Sequence, residues 1–277
     1  MKNKAFSSID IVFMCLVDSA RTNAFIKAIQ EAVTSESVVV DLGTGSGIMA
    51  IAAAKAGAKR VYCVEFDPYV AEVARKNIQV NGLSNKIKVI VKDARKARFP
   101  KEKFNVVISE MLTTGMVDEC QVQAINNLHR GGYINDKTVF IPAIQETYIT
   151  PTDTSFEVSN YFFPMVCHLW KWLNFKPIKH LLANSQLLNR VEFSNTTKEE
   201  CSNILEFVAT EDGKVNSVLL ESKTFVGDTA LEETKVMNAP MIVPMAEHYV
   251  KKNDILKMRI TYKFGAGYKN FKVILED

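Results

Sequence analysis

Two glutamates, Glu110 and Glu119, stand nine positions apart in ISEMLTTGMVDEC, residues 108–120. The first closes an apolar run that reads as a strand, and the second follows one loop later. A carboxylate pair at a sheet rim has two readings, a solvated surface pair or a clamp for a cation. Upstream, VVVDLGTGSG sets Gly43, Gly45 and Gly47 directly behind a β-branched run. Glycines at such a point let the backbone come close to a ligand where a strand gives way to a helix N-terminus. Their spacing is G-x-G-x-G, not the G-x-G-x-x-G of a dinucleotide loop. Asp41 precedes the loop. A carboxylate there opposes a pyrophosphate and suits a cation with amino and sulfonium groups. Glu65 ends VYCVEFD and suits a ribose diol; Asp93, in VKDA, suits an adenine amino group. Three acidic groups at successive strand ends make a nucleoside site without phosphate recognition.

The elements that must hold these residues read as strands alternating with helices. AFIKAIQEAV (24–33) has helical spacing, and IMAIAAAKAGA is a helix closed by Gly57. RVYCVEFD, KIKVIVKDA and FNVVISE are further strands, with a helix over 69–80 ended by Asn81-Gly82. This alternation predicts right-handed βαβ units and a parallel sheet, with ligands collecting beyond the carboxyl ends of the strands. Beyond about Pro151 the pattern becomes short alternating strands with an aromatic-rich stretch before them, which predicts an antiparallel β domain. The expected division is residues 1–150 and 151–277.

With 277 residues, 47% of them hydrophobic, the chain has ample material for a core. A net charge of +3 does not argue for a dedicated nucleic-acid binder. The basic cluster from Lys86 to Lys103 reads as a solvated face, with RNA or an acidic partner as the alternative. Five scattered cysteines with no ligand spacing imply a reduced, cytoplasmic protein and no metal site. The apolar run IVFMCLV near the N-terminus is seven residues long, at the lower limit for a signal segment, and is not read as one. No run reaches a membrane-spanning length.

As a set, residues 37–98 resemble the class I methyltransferases that bind S-adenosylmethionine: D-x-G-x-G-x-G, an acidic end to the second strand, and KDA after the third. The two glutamates after the fourth strand resemble the double-glutamate loop of the protein arginine methyltransferases. Guanidinium is planar, forked and permanently charged, so two carboxylates can hold it by charge-assisted bonds. Methyl transfer from a sulfonium then needs mainly an aimed nitrogen. The segment CLVDSARTNAF resembles the stretch before the glycine loop in that family, which implies that Arg21, three residues after Asp18, holds the cofactor carboxylate. The resemblance implies a Rossmann-like cofactor domain followed by a β-barrel-like domain entered near Ile141-Pro142. It also offers YFFPMVCHLWKWLNFKPIKHLLANS as a helical arm that either builds a homodimer or packs within one chain.

The chain also departs from that family. Met111-Leu112 follows Glu110, Asn238-Ala239-Pro240 stands where the family has Thr-His-Trp, and of the N-terminal aromatic motif only Phe6 lies nearby. The glycine-loop region also resembles the ribosomal-protein methyltransferases, whose acceptors are protein amines. The expected activity is N-methylation of a protein side chain of arginine type. A small-molecule amine, another protein residue, or a non-catalytic cofactor-binding role are the alternatives. Glu110 and Glu119 are the candidate catalytic residues. Arg21, Asp41, Gly43, Gly45, Gly47, Glu65 and Asp93 are the candidate cofactor residues.

Overall fold

The structure is a computed structural model of the chain and describes residues 8–232, 234 and 237–276. Phe6 therefore lies outside the described residues. The apolar run near the N-terminus forms α1 (Ile9–Val17), and α2 (Ser19–Ala32) follows after Asp18. The alternation then continues as β1 (Val38–Leu42), α3 (Ile48–Lys55), β2 (Arg60–Glu65), α4 (Pro68–Val80), β3 (Ile87–Val91), β4 (Val106–Ser109), α5 (Gln121–Arg130) and β5 (Val139–Ile141). The five strands form one parallel sheet in the order β3-β2-β1-β4-β5. Chain direction across the sheet reverses between β1 and β4, and ligands of such sheets bind at that switch point.

Local sequence explains these elements. β1 is buried along its length, as a strand covered on both faces must be. Its alternate residues feed two different cores: Val38, Val40 and Leu42 face one, and Val39 the other. α3 presents buried apolar residues from Met49 to Ala54, and its alanines let it lie close to the sheet. α4 is started by Asp67, whose Oδ1 accepts from the backbone N–H of Tyr69 at 2.8 Å and Val70 at 3.3 Å, with Pro68 at the first helical position.

The rest is antiparallel: β6 (Ile144–Thr154), β7 (Glu157–Val158), β8 (Tyr161–Phe162), β9 (Cys167–His168), β10 (Ile178–Leu181), β11 (Gln186–Glu192), β12 (Glu200–Val208), β13 (Gly213–Val226), β14 (Thr229–Leu231), β15 (Met241–Val250), β16 (Ile255–Lys263) and β17 (Lys272–Leu275). One sheet runs β10-β6-β13-β15-β9, with β11 also on β6 and β14 on β13; a second runs β12-β16-β17. The expected α/β domain followed by a β-rich one is the observed architecture. β6 crosses residues 150 and 151, where the sequence reading divided the chain. The two halves also share both cores. Leu42 and Phe104 pack in one cluster with Phe207 and Ile260, and Phe25 and Ile29 in another with Val226 and Leu231.

One expectation is corrected. The segment proposed as a helical arm contains no α-helix. It is built from β8, β9, a 3₁₀ turn at Lys171–Leu173 and β10. Pro164 and Pro177 interrupt any helical run through it, since proline lacks the N–H that a helix interior needs.

Candidate active site

The glycine loop leaves β1 with Gly43, Gly45 and Gly47 at φ +75°, +55° and +88°. All three occupy the left-handed region, where a side chain is strained. Gly43 must also stay small, because a Cβ there would lie 2.8 Å from Met111 Cγ. Glu65 ties to the loop through Oε2, which accepts from Gly45 N at 2.9 Å, while Oε1 is fixed by Phe66 N at 2.7 Å and Asp67 N at 2.9 Å. A carboxylate has about four acceptor sites, so roughly one remains open, on Oε2.

The loop opens onto a cavity of about 500 Å³, in the size range of small-molecule sites. Of the sequence-predicted residues, Arg21, Gly43, Gly45, Glu65, Asp93, Glu110 and Glu119 line it. Asp41 and Gly47 do not. Gly47 is the N-cap of α3, and a Cβ there would contact Ala74 at 3.6 Å. Asp41 is buried beneath the loop, where Thr44 Oγ1 donates to its backbone carbonyl at 3.2 Å. Burial pushes its carboxyl up to about 7, against hydrogen bonds from Thr44 and the Ala50 backbone.

Arg21 is buried, forms an ion pair with Glu110, and donates to the carbonyl of Cys15. Arg21 Nε and Glu110 Oε1 are buried without a hydrogen-bond partner. Buried polar atoms in folded chains are almost always paired, so this orphaned donor and acceptor fit a ligand that carries its own carboxylate and cation. Asp93 caps the 3₁₀ turn at Ala94–Lys96 and pairs with Arg95 at 2.7 Å, and this guanidinium holds its carboxyl below the usual range.

Glu119 differs. Among the described residues no side chain pairs with it, and burial, then Glu110 and Glu65, raise its carboxyl well above the ordinary value. Its loop is anchored from both halves of the chain. Gln121 Nε2 donates to Ser109 O at 2.7 Å and Gln145 Nε2 to Thr113 O at 2.9 Å. Thr114 Oγ1 donates to Ala239 O at 2.5 Å, so the segment in place of Thr-His-Trp supports the loop from beneath.

Sequence reasoning missed the far rim of the cavity. Met237 and the turn Gly265-Ala266-Gly267 line it, as do Val12 and Cys15 of α1 and Asp118 beside Glu119. The turn is tied to the glutamate loop, Gly265 N donating to Met116 O and Gly267 N to Val117 O, both at 2.9 Å. The available signal was the paired glycines between two strand-like runs.

Comparison with known proteins narrows the reading. A family model described as ribosomal protein L11 methyltransferase (PrmA) matches residues 19–137. An uncharacterized protein of Methanocaldococcus jannaschii is 30% identical over 264 residues, 95% of each chain. Protein arginine N-methyltransferase 1 of Oryza sativa subsp. indica is 27% identical over 207 residues, 69% of this chain. The match spans 53% of the rice protein. Among solved structures, the PRMT1 enzyme–prozyme heterotetrameric complex of Trypanosoma brucei with AdoHcy superimposes with a TM-score of 0.73 at 15% identity, over 99% of this chain and 98% of that one.

Proposed function

Because this chain belongs to the class I S-adenosylmethionine-dependent methyltransferases and is built like the protein arginine methyltransferases, we propose that it N-methylates a cationic protein side chain of guanidinium type. The observation that carries this reading is Glu119. Burial, Glu110 and Glu65 oppose its charge and only the more weakly acting Arg21 favours it, so a cationic acceptor beside it would favour the carboxylate.

The cofactor supplies an electrophilic methyl on sulfur. The chain's own residues then divide the work. Gly43, Gly45 and Gly47 shape the loop, Glu65 takes a ribose hydroxyl through its open acceptor site, and Asp93 faces the adenine. Asp41, buried beneath the methionine end, adds negative potential there as pH rises above about 7. Arg21 holds the carboxylate, and drawing Arg21 toward that group frees Glu110 to join Glu119. Together the two glutamates hold the acceptor and leave lone-pair density on the nitrogen to be methylated.

The exposed apolar segment 161–175 supports a homodimer. Tyr161 and Phe162 are each 69% exposed and Trp172 61%, an apolar surface that a second copy would cover. Five free cysteines fit a reducing, cytoplasmic setting. No helix among the described residues is long and apolar enough to cross a membrane.

The test supplies methyl-labelled S-adenosylmethionine to the protein with whole-cell extract, followed by hydrolysis of the labelled protein. Label in methylarginine is the expected result. Label in another protein residue would instead favour a protein amine as acceptor, the reading that the ribosomal-protein methyltransferase match over residues 19–137 supports, and label only in small molecules would favour a small-molecule amine.

A further inference from the structure

Asp118 lines the cavity beside Glu119, and its carboxylate is held from the β-rich half of the chain. Tyr268 OH donates to Asp118 Oδ2 and lies 3.3 Å from His168 Nε2. A carboxylate only accepts, and a phenol has one proton. With that proton on Asp118, the Tyr268 oxygen must accept from His168 Nε2–H. The chain therefore runs in one direction, from imidazole through phenol to carboxylate. His168 is fixed in turn by Trp170, stacked at 5.1 Å, and burial pushes the imidazole below its usual pKa.

This chain leaves Asp118 Oδ1 without a hydrogen bond among the described residues. Gly267 keeps that oxygen uncovered: a Cβ at 267 would lie 3.9 Å from it, and any longer side chain would reach it. Gly265 allows the close approach, since a Cβ there would stand 2.9 Å from Cys120 Cα. The turn thus brings the phenol to the carboxylate and leaves the second oxygen facing the site.

We propose that Tyr268 and His168 are positioning residues that aim the Asp118 carboxylate at the acceptor, so that it selects a cationic acceptor over a neutral one of the same shape. The inference rests on the acceptor end lying beside Glu119, as argued above. Asp118 supplies charge and one directed acceptor oxygen, and it takes no part in the transfer.

The experiment measures binding of N-acetyl-arginine amide and of its neutral isostere N-acetyl-citrulline amide to the full chain saturated with S-adenosylhomocysteine. The wild-type protein is expected to prefer the guanidinium. Asp118→Asn and Tyr268→Phe should each cut that preference about tenfold, the size of one lost charge-assisted hydrogen bond, while S-adenosylhomocysteine binds as before. His168→Gln retains an N–H donor and should stay near wild type, whereas His168→Ala should follow Tyr268→Phe. A residue that merely supports the fold would not separate Gln from Ala, nor arginine from citrulline. Equal binding of the two probes, or an unchanged preference in both Asp118→Asn and Tyr268→Phe, overturns the inference. Selective guanidinium binding through Asp118 in a protein that labels no arginine overturns the proposed reaction and leaves this inference standing.

Discussion

The two ends of one cavity treat their carboxylates differently. At the cofactor end each acid that lines the cavity has a partner: Glu65 accepts three backbone N–H groups, Asp93 pairs with Arg95, and Glu110 pairs with Arg21. At the other end Glu119 has no partner among the described residues and Asp118 has only a phenol. A compensated carboxylate can shape a site without a ligand. An uncompensated one in a half-buried setting keeps its charge at a cost, which a proton or a cation removes. The contrast separates carboxylates already compensated within the fold, Glu110 among them until a ligand draws Arg21 away, from those that await an occupant.

The largest effect should come from the uncompensated end. Glu119→Gln should lower kcat about 1000-fold, as removal of a directed electrostatic group commonly does, with cofactor affinity retained. A labelled-methyl assay beside a cofactor titration reads both, and full activity would break the contrast. At the compensated end, Arg21→Met leaves Glu110 buried without a cation and should cost about 3 kcal/mol of stability, read by denaturant unfolding. Glu119→Gln should cost none, and equal losses in the two variants would erase the distinction.

Asp41 sharpens the comparison through pH. Its carboxyl titrates near 7 in the fold, against an ordinary value of 3.8. Below about 4 both folded and unfolded chains keep the proton, and Asp41 carries no penalty. From there to about 7 the unfolded chain ionises first, so stability falls as pH rises. Asp41→Asn should therefore raise the melting temperature at pH 8, by about 10 °C, and change it little at pH 4. A pH-independent difference would mean that the carboxyl is ionised where it sits. The smallest effect belongs to Arg95→Ala, which removes a half-exposed ion pair worth about 0.5 kcal/mol. It should weaken cofactor binding about twofold in a titration.

The compensated end was also the legible one. Its residues occupy strand ends within one βαβ run, where period and glycine spacing fix their places, and Glu65 and Asp93 stand where the pattern put them. Arg21 was placed by a resemblance, and no periodicity would have shown that it pairs with Glu110. The opposite rim comes from residues more than a hundred positions downstream. Tyr268 meets Asp118, and His168 meets Tyr268, only because β9 pairs with β15 and the turn after β16 folds back. Asp41 reads as part of the loop it precedes, yet its side chain is buried in β1 and does not line the cavity. The aromatic stretch from Tyr161 reads as a helical arm only through the resemblance, and Pro164 and Pro177 within it argue against a helix.

The three N–H groups on Glu65 also bear on kinetics. Phe66 and Asp67 fix the carboxylate, the carboxylate holds Gly45, and Val64 O holds Gly43 and Thr44, so little backbone entropy remains for the loop to lose on binding. Association should then follow a single exponential with a rate proportional to cofactor concentration, with no slow isomerisation after the encounter, and differences in affinity among loop variants should appear in the rate of escape.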